Sequence, residues 1–268
     1  MFEVREMTIE DLEETLKVES SAIRGNPGYL GDAFHYYQGA KGELSVALKD
    51  GKVVGVGKLS ILFDGSAWLE VLRVHQDYQK QGVGATIYER YFKQVHEFDC
   101  PHVALYTGIK NIGSRKLAER NGLSQDTFYV SFSTTNIQPK EVVPFEMMDT
   151  IPENVHINHL NINHTFYRNN EANLKGFLSQ GYIYQYKDTT LIMGSRFQPK
   201  KALYIAYIDG SYQKEALDYA MQTAYMKGIQ KITYHFQSDL DKPLDLLQDY
   251  DFTQDPGEDM VMTLSRKG

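Results

Sequence analysis

The sequence has 268 residues, of which 42% are hydrophobic and 24% are charged, a balance typical of a globular protein with one large domain or two ordinary ones. Its net charge of −7, without a run of Lys and Arg, disfavours a nucleic-acid partner, and no stretch approaches the roughly 20 apolar residues of a membrane helix. The only cysteine, Cys100, excludes an internal disulfide and a multi-cysteine zinc site.

The first residues are acidic, with Glu3, Glu6, Glu10 and Asp11 where a secretory signal would carry a basic segment and then an apolar one. We therefore expect a soluble cytoplasmic protein without a membrane partner. The acidic balance would suit a cationic substrate, although mild acidity also serves solubility.

The first half of the chain alternates strand and helix patterns. We predict strands over 2–6, 44–48, 53–62, 67–74, 102–107 and 127–133, and helices over 12–18, 84–98 and 114–121. Thr8 and Asp11 form an N-cap signature ahead of the first helix. Asp50-Gly51 favours a type I′ hairpin turn, and Asp64-Gly65 marks a second turn. The pattern predicts a three-stranded antiparallel meander followed by an amphipathic helix that packs on the sheet.

The second half repeats this order of elements. Residues 136–152 contain three prolines without periodicity, and we interpret them as the connection between two domains, 1–137 and 138–268. Strands are predicted over 182–186, 191–195, 202–208, 229–236 and 260–264, and helices over 216–224 and 243–250, the first of them ended by Gly228. The element order indicates a tandem duplication with an α/β (α+β) fold in each half.

The segment from Gln79 to Gly84 reads Gln-Lys-Gln-Gly-Val-Gly and passes from a strand end into a helix. Unpaired N–H groups and the helix dipole at such a junction favour a phosphate, and glycine lets the ligand approach the backbone. A glycine pair before a helix also occurs in a plain tight turn. Ile87 stands where a dinucleotide fingerprint needs its third glycine, and the Gly-Lys-Ser/Thr of a P-loop is missing, which excludes both nucleotide motifs.

With its neighbours, this segment resembles the GNAT superfamily of acyl-CoA-dependent N-acetyltransferases, whose signature is Gln/Arg-x-x-Gly-x-Gly/Ala. The matching residues are Leu72-Arg73-Val74, Tyr78, residues 79–84, and downstream Asn111, Ser114, Leu117 and Asn121-Gly122-Leu123. The resemblance spans about residues 2–135. It implies tandem GNAT-like domains, each a mixed, mostly antiparallel twisted sheet flanked by helices.

The resemblance also implies acetyl-CoA as the acyl donor, and no metal. The residues that would bind the pyrophosphate through their backbone are Gln81, Gly82, Val83, Gly84 and Ala85, flanked by Gln79 and Lys80. Leu72, Arg73 and Val74 would bind the pantetheine arm, and Asn111 and Ser114 would touch the pantetheine or phosphate side. The N–H of Val74 or Leu72 would stabilise the oxyanion of the transition state.

Attack by an amine requires a group that takes its proton. Glu70 is our candidate general base, because it alternates with Leu72 and Val74 and should face the same cleft. The alternative is an exposed strand carboxylate paired with a lysine. Many GNAT proteins place a tyrosine acid where this chain has Ala118, so the general acid is unassigned. Direct attack remains open, since coenzyme A thiolate is a tolerable leaving group.

Aromatic side chains follow the first helix and could line an acceptor pocket or surround a cation, although such a cluster can also be core. They are Tyr29, Phe34, His35, Tyr36 and Tyr37. Trp68 precedes Glu70 on the same strand face. We predict Tyr29, His35, Tyr36 and Trp68 as acceptor-binding residues.

Three histidines of the second half, His156, His159 and His164, invite a metal interpretation. They lack acidic or thiol partners, and interleaved asparagines at 158, 161 and 163 suggest a polar, solvated stretch, so we predict no metal site. Residues 209–214 offer one glycine and an added carboxylate where a second glycine loop would lie. This degenerate lobe should bind no coenzyme A and would supply a wall of the acceptor cleft or an oligomer surface, such as that of a homodimer.

The sequence therefore predicts an N-acetyltransferase that moves an acetyl group from acetyl-CoA to a primary amine of a small molecule or a protein. The alternative is a catalytically impaired sensor or scaffold that binds acyl-CoA, since Ala118 replaces a catalytic tyrosine. A purely structural protein would show neither property.

Overall fold

The computed structural model describes residues 2–23, 28–197, 199–238, 244–255 and 261–267. In the first half the strands are β1 Glu3–Glu6, β2 Gly42–Lys49, β3 Lys52–Ile61, β4 Ala67–Val74, β5 His102–Gly108 and β6 Ser124–Thr134. The helices there are α1 Leu12–Ala22, α2 Leu30–Gly39, α3 Val83–Glu97 and α4 Ile112–Arg120.

The second half continues the same alternation. Its strands are β7 Glu146–Met147, β8 His159–Ile162, β9 Thr165–Arg168, β10 Ile183–Tyr186, β11 Thr189–Gly194, β12 Ala202–Asp209, β13 Lys231–Gln237, β14 Thr253–Gln254 and β15 Val261–Lys267. Its helices are α5 Glu171–Ser179, α6 Gln213–Lys227 and α7 Leu244–Gln248. The ends predicted at Pro243 and Met260 lie outside the described residues.

The chain clusters into two compact units. Unit 1 comprises Met1–Leu105, Gly113–Ser124 and Leu264–Gly268, and unit 2 comprises Tyr106–Ile112 and Gln125–Thr263. Whether the chain also divides into folding domains at residue 137 stays a prediction. Among the described helices, none combines the length and apolar content that crossing a bilayer requires.

The strand order of unit 1 is β1-β2-β3-β4-β5, and the meander β2-β3-β4 is antiparallel as predicted. Asp50 and Gly51 join β2 to β3 with φ of 51° and 79°, the left-handed values of a type I′ turn. Thr8 and Asp11 form the predicted capping box, in which the Thr8 N–H donates to the Asp11 carboxylate at 2.8 Å. Local turn and cap chemistry therefore sets the entry to this sheet.

Helices cover both faces of this sheet. On one face α3 lies close to β3, because a Cβ at Gly55 would come within 2.7 Å of Val83 Cγ1, and one at Gly57 within 3.0 Å of Ile87 Cγ2. Lys58, the next residue, points the other way, since side chains alternate along a strand. It is fully buried, and its Nζ donates to the carbonyls of Tyr37 and Ala40 at the end of α2, at 2.9 and 3.2 Å. Thus α2 and α3 lie on opposite faces of the sheet.

The helix α2 was not predicted. Its buried residues Leu30, Ala33, Phe34 and Tyr37 have the spacing of one helical face. The buried carboxylate of Glu19 in α1 accepts the N–H of Leu30 at 3.2 Å, which satisfies an unpaired donor at the helix start. Opposite buried charges, Glu19 and Lys58, therefore fix the two ends of α2.

In unit 2 the strand order is β6-β13-β12-β11-β10-β7, with β14 paired to β6. The pair β12-β13 is parallel, and the neighbouring pairs are antiparallel. The helix α6 ends at Gly228 with φ of 64°, as predicted. Its buried face packs in the core of unit 2 with residues of β11, β12 and β13.

The prediction of a solvated stretch around the three histidines is wrong from His159 onward, whereas His156 and Asn158 are exposed. Strands β8 and β9 form a hairpin. His159, Asn161 and Asn163 are only 5%, 2% and 3% exposed. His159 Nδ1 lies 2.7 Å from the hydroxyl of Tyr129. These polar side chains therefore face the protein interior, which their composition does not reveal.

Candidate active site

The parallel strands β4 and β5 pair over only part of their length. Ala67 pairs with Val103, and Trp68 pairs with Ala104. Strand β4 runs on to Val74 beyond this last pair. The end of β4 therefore separates from β5, which leaves backbone groups along its edge that a ligand could reach.

A bulge in β4 begins at Val71. The pairing moves from Lys58–Glu70 to Val56–Arg73, three residues on β4 against two on β3. Val71 has φ of 60°, a left-handed conformation that a β-branched residue rarely adopts and that costs about 1–3 kcal/mol. Such bulges redirect the side chains that follow and are common beside active sites.

The bulge overturns the predicted facing of Glu70. Directly opposite residues of an antiparallel pair point to one face, so Glu70 shares the α2 face with Lys58. Leu72 Cδ2 lies 3.5 Å from where a Cβ of Gly84 would be, on the α3 face. The prediction that Glu70 faces the same way as Leu72 and Val74 is therefore wrong, because the strict alternation assumed no inserted residue.

The predicted cofactor loop is open to solvent. Gly82 is the N-cap of α3 with φ of 96°, it is exposed, and a Cβ there would meet no atom within 4 Å. Thr86 N donates to Gly82 O at 3.0 Å as the first bond of the helix. The N–H groups of Val83, Gly84 and Ala85 precede this bond and lack intrahelical acceptors. With the dipole of α3, they form a site suited to an anion.

Side chains of the loop connect it to the end of β4. Gln79 Nε2 donates to the Val74 carbonyl at 3.2 Å, and Gln81 Nε2 donates to the Asp77 carbonyl at 2.7 Å. Lys80 is exposed and has φ of 61°. The loop and the separated strand end are therefore held together as one feature.

Helix α4 reaches the same feature through Leu117. A Cβ at Gly84 would lie 3.2 Å from Leu117 Cδ2, so glycine permits the close approach. Ser114 is half-buried, and Ala118, in the register of the family's tyrosine, is fully buried. Asn111, an exposed residue before α4, belongs to unit 2 and donates its N–H to Gly108 O at 2.9 Å.

The half-buried carboxylate of Glu70 lies among buried hydroxyl groups on the α2 face. Tyr37 Oη donates to Oε2 at 3.1 Å, and Ser60 Oγ donates to Oε1 at 2.5 Å. Trp68, opposite Ser60, shares this face with Glu70, as predicted, and it is buried. Tyr37 was named among the aromatic residues but not predicted to bind the acceptor, and Ser60 was not predicted. The helical spacing of Tyr37 and the alternation of Lys58 with Ser60 would have indicated both.

The predicted acceptor residues lie in different environments. Burial raises the pKa of the Tyr29 hydroxyl, while the charge of Arg73 opposes this shift and that of Glu70 adds to it. Tyr36 is half-buried, and His35 is exposed with its ring against the edge of Phe34. Over the described ranges, no group of three or more His, Cys, Asp or Glu side chains is placed to hold a metal ion.

Residues 9–123 match the family model described as the acetyltransferase (GNAT) family. This match confirms the resemblance of the motifs in the first half of the chain to that family. No curated protein matches the sequence.

Solved structures extend the similarity over the whole chain. A GCN5-related N-acetyltransferase from Sphaerobacter thermophilus has a TM-score of 0.65 at 11% identity, covering 99% of this chain and 95% of that one. A tandem GNAT protein from the clavulanic acid biosynthesis pathway has a TM-score of 0.65 at 11% identity, covering 100% and 98%. At these identities the likeness concerns the fold alone, and it confirms the predicted tandem GNAT-like architecture.

Proposed function

We propose that the protein transfers an acetyl group from acetyl-CoA to a primary amine. The observation that carries this proposal is the open N-terminus of α3, with Gly82 exposed and three leading N–H groups, tied by Gln79 to the separated end of β4. The pyrophosphate of acetyl-CoA would bind these N–H groups, with Lys80 nearby as a counter-charge. The pantetheine arm would then lie along the free edge of β4 at Leu72, Arg73 and Val74, as a further strand would.

The chemistry follows from the two faces of β4. The amine nitrogen attacks the acetyl carbon, the N–H of Val74 stabilises the oxyanion, and the C–S bond then breaks to release the thiolate. Glu70, held by Tyr37 and Ser60 on the α2 face, takes the proton of the amine directly or through a water. The acceptor would therefore approach from the α2 face, past Tyr29 and Trp68.

Helix α4 provides no general acid at position 118 to protonate the leaving thiolate. Ala118 is fully buried and bears no acidic proton. Coenzyme A thiolate would leave as the anion and take a proton from solvent. This feature favours the second candidate function, a sensor that binds acyl-CoA without turnover.

In unit 2, strand β12 has a bulge like that of β4, but the backbone donor after it is already bonded to a side chain. The pairing β11-β12 passes from Met193–Ile205 to Ile192–Tyr207, so Ala206 is the inserted residue. Ile208 then corresponds to Val74 as the second residue after the bulge. Its N–H donates to the hydroxyl of the buried Tyr234 at 3.1 Å. Because a side chain already takes this donor, we propose that each chain binds one acetyl-CoA.

Two measurements on the purified protein test this proposal. Calorimetric titration with acetyl-CoA should give one site per chain, and thiol release over a panel of amines should require both substrates. Binding without amine-dependent thiol release would support the sensor, and absence of binding would reject both functions. Two acetyl-CoA molecules bound per chain would reject the proposal that unit 2 binds none.

A further inference from the structure

The side chain of Arg73 lies on the same face of the sheet as Glu70. Arg73 pairs with Val56, which stands between Gly55 and Gly57 on β3. Both glycines face α3, so Val56 and its partner point to the opposite face, where α2 lies. The backbone of Arg73 remains part of the proposed pantetheine edge, whereas its guanidinium is directed to the acceptor side.

Not all hydrogen-bond donors of this guanidinium have an acceptor. Arg73 is half-buried, and Nη1 donates to the carbonyl of its neighbour Leu72 at 3.1 Å. Nε is buried without a hydrogen-bond partner, and within the described ranges no carboxylate forms an ion pair with Arg73. A partly desolvated cation without an acid is unfavourable, and a planar guanidinium matches a carboxylate through two parallel hydrogen bonds.

The spacing of Glu70 and Arg73 along β4 fits the length of a small molecule. Their partners Lys58 and Val56 are two residues apart on β3, which separates the two positions by about 7 Å along the strand. Burial raises the pKa of Tyr29, and the charge of Arg73 opposes this shift while that of Glu70 adds to it, in keeping with this spacing. One short ligand could therefore contact both charged groups.

We propose that Arg73 binds a carboxylate of the acceptor, so that the substrate class is a small molecule with its carboxylate close to the reacting amine, as in an amino acid. This inference rests on the proposed function, because Glu70 is taken as the group that receives the amine proton. Arg73 disfavours polyamines and aminoglycosides, whose positive charges it would repel. A protein N-terminus also fits less well, since it lacks an adjacent carboxylate.

The test compares amino acids with their α-carboxamides, which retain the amine and lose the charge. Alanine, leucine, phenylalanine and aspartate, each with its α-carboxamide, serve as probes. Binding is measured by calorimetry with and without coenzyme A, and turnover by thiol release with acetyl-CoA. For at least one pair we expect the acid to bind and react about 10- to 100-fold better than the amide, the range for a hydrogen-bonded charge.

The variant Arg73→Gln should remove this preference. The KM of the acid should rise about 10- to 100-fold more than that of its amide, and any rise in the KM of acetyl-CoA should be smaller than the rise for the acid. Arg73→Lys, which retains the charge without the planar fork, should lie between the two. Arg168→Gln, at a half-buried arginine of unit 2, is the matched control and should behave as the parent. Circular dichroism and thermal unfolding check that each variant folds.

The outcomes separate this inference from the proposed function. Equal turnover of acids and amides, or an acid preference that survives Arg73→Gln, would overturn the role of Arg73 and leave the transferase intact. Carboxylate-dependent binding without turnover would support the Arg73 site and reject the transferase. A rise in the KM of acetyl-CoA alone would assign the guanidinium to the cofactor. Absence of binding by every probe would overturn the inference.

Discussion

Replacing Gly82 by glutamate tests the cofactor loop most sharply. Gly82 is exposed at the start of α3, and a side chain there meets open space, so the new carboxylate would occupy the position proposed for the pyrophosphate. The substitution has a second effect, because the φ of 96° is strained for any residue with a Cβ. That strain costs about 1–2 kcal/mol.

The expected loss of affinity is large. A hydrogen bond to a charged group contributes about 1.5–3 kcal/mol, so losing two N–H contacts to the pyrophosphate weakens binding by about 3–6 kcal/mol, or more than 100-fold. Acetyl-CoA at about 100 times its Kd should stabilise the parent protein by about 2.7 kcal/mol. For a chain of this size that raises Tm by about 5–10 °C, and Gly82→Glu should abolish the shift.

Gly51→Glu is the matched control. Gly51 has φ of 79°, and a Cβ there also meets no atom within 4 Å, so this variant adds the same charge and comparable strain at the tip of the β2-β3 hairpin. Differential scanning fluorimetry should show that both variants lose stability without ligand and that only Gly51→Glu retains the shift with acetyl-CoA. Equal shifts in both variants would refute the assignment of the loop.

Three further substitutions test the surroundings of the site. Glu70→Gln should lower kcat about 10²- to 10⁴-fold by removing the proton acceptor and leave the Kd of acetyl-CoA unchanged; unchanged kcat would exclude Glu70 as the base. Lys58→Met should reduce the free energy of unfolding in urea by about 2 kcal/mol, because buried carbonyls at the end of α2 lose their donor; no loss would show that Lys58 does not anchor α2. Burial alone would raise the pKa of Glu43, but hydrogen bonds, chiefly from Arg90, hold this pKa below its ordinary value. The ionised Glu43 therefore stabilises the fold above pH about 4, and this stabilisation is lost as pH falls through the lowered pKa. Glu43→Gln should therefore cost about 2 kcal/mol at pH 7 and less below pH 4, and an equal cost at both pH values would contradict this reasoning.

The elements that the sequence predicts well are those set by local chemistry. Asp50-Gly51 specifies its own turn, and Thr8 with Asp11 forms the capping box of the 3₁₀ turn Ile9–Asp11 that leads into the first helix. The long amphipathic helix α3 also follows from periodicity alone, and its start at Val83 agrees with the glycine motif. In each case the determinant lies within a few residues of the structure it produces.

The features that the sequence did not predict depend on contacts between distant residues. Helix α2 is held by Glu19 and Lys58 from other elements, and the glycines that flank it obscure the helical spacing of its buried residues. At the bulge, Val71 adopts a left-handed conformation that is rare for a β-branched residue. The alternation of side chains along the β4 sequence therefore gives no sign of the bulge. That insertion places Leu72 on the α3 face, opposite to Glu70.

The most direct test of the central claim is a crystal structure of the protein with bound acetyl-CoA. The pyrophosphate should accept hydrogen bonds from backbone N–H groups between Gln81 and Ala85, with the thioester carbonyl at the N–H of Val74. Electron density for the cofactor elsewhere, with the start of α3 empty, would contradict the proposed site.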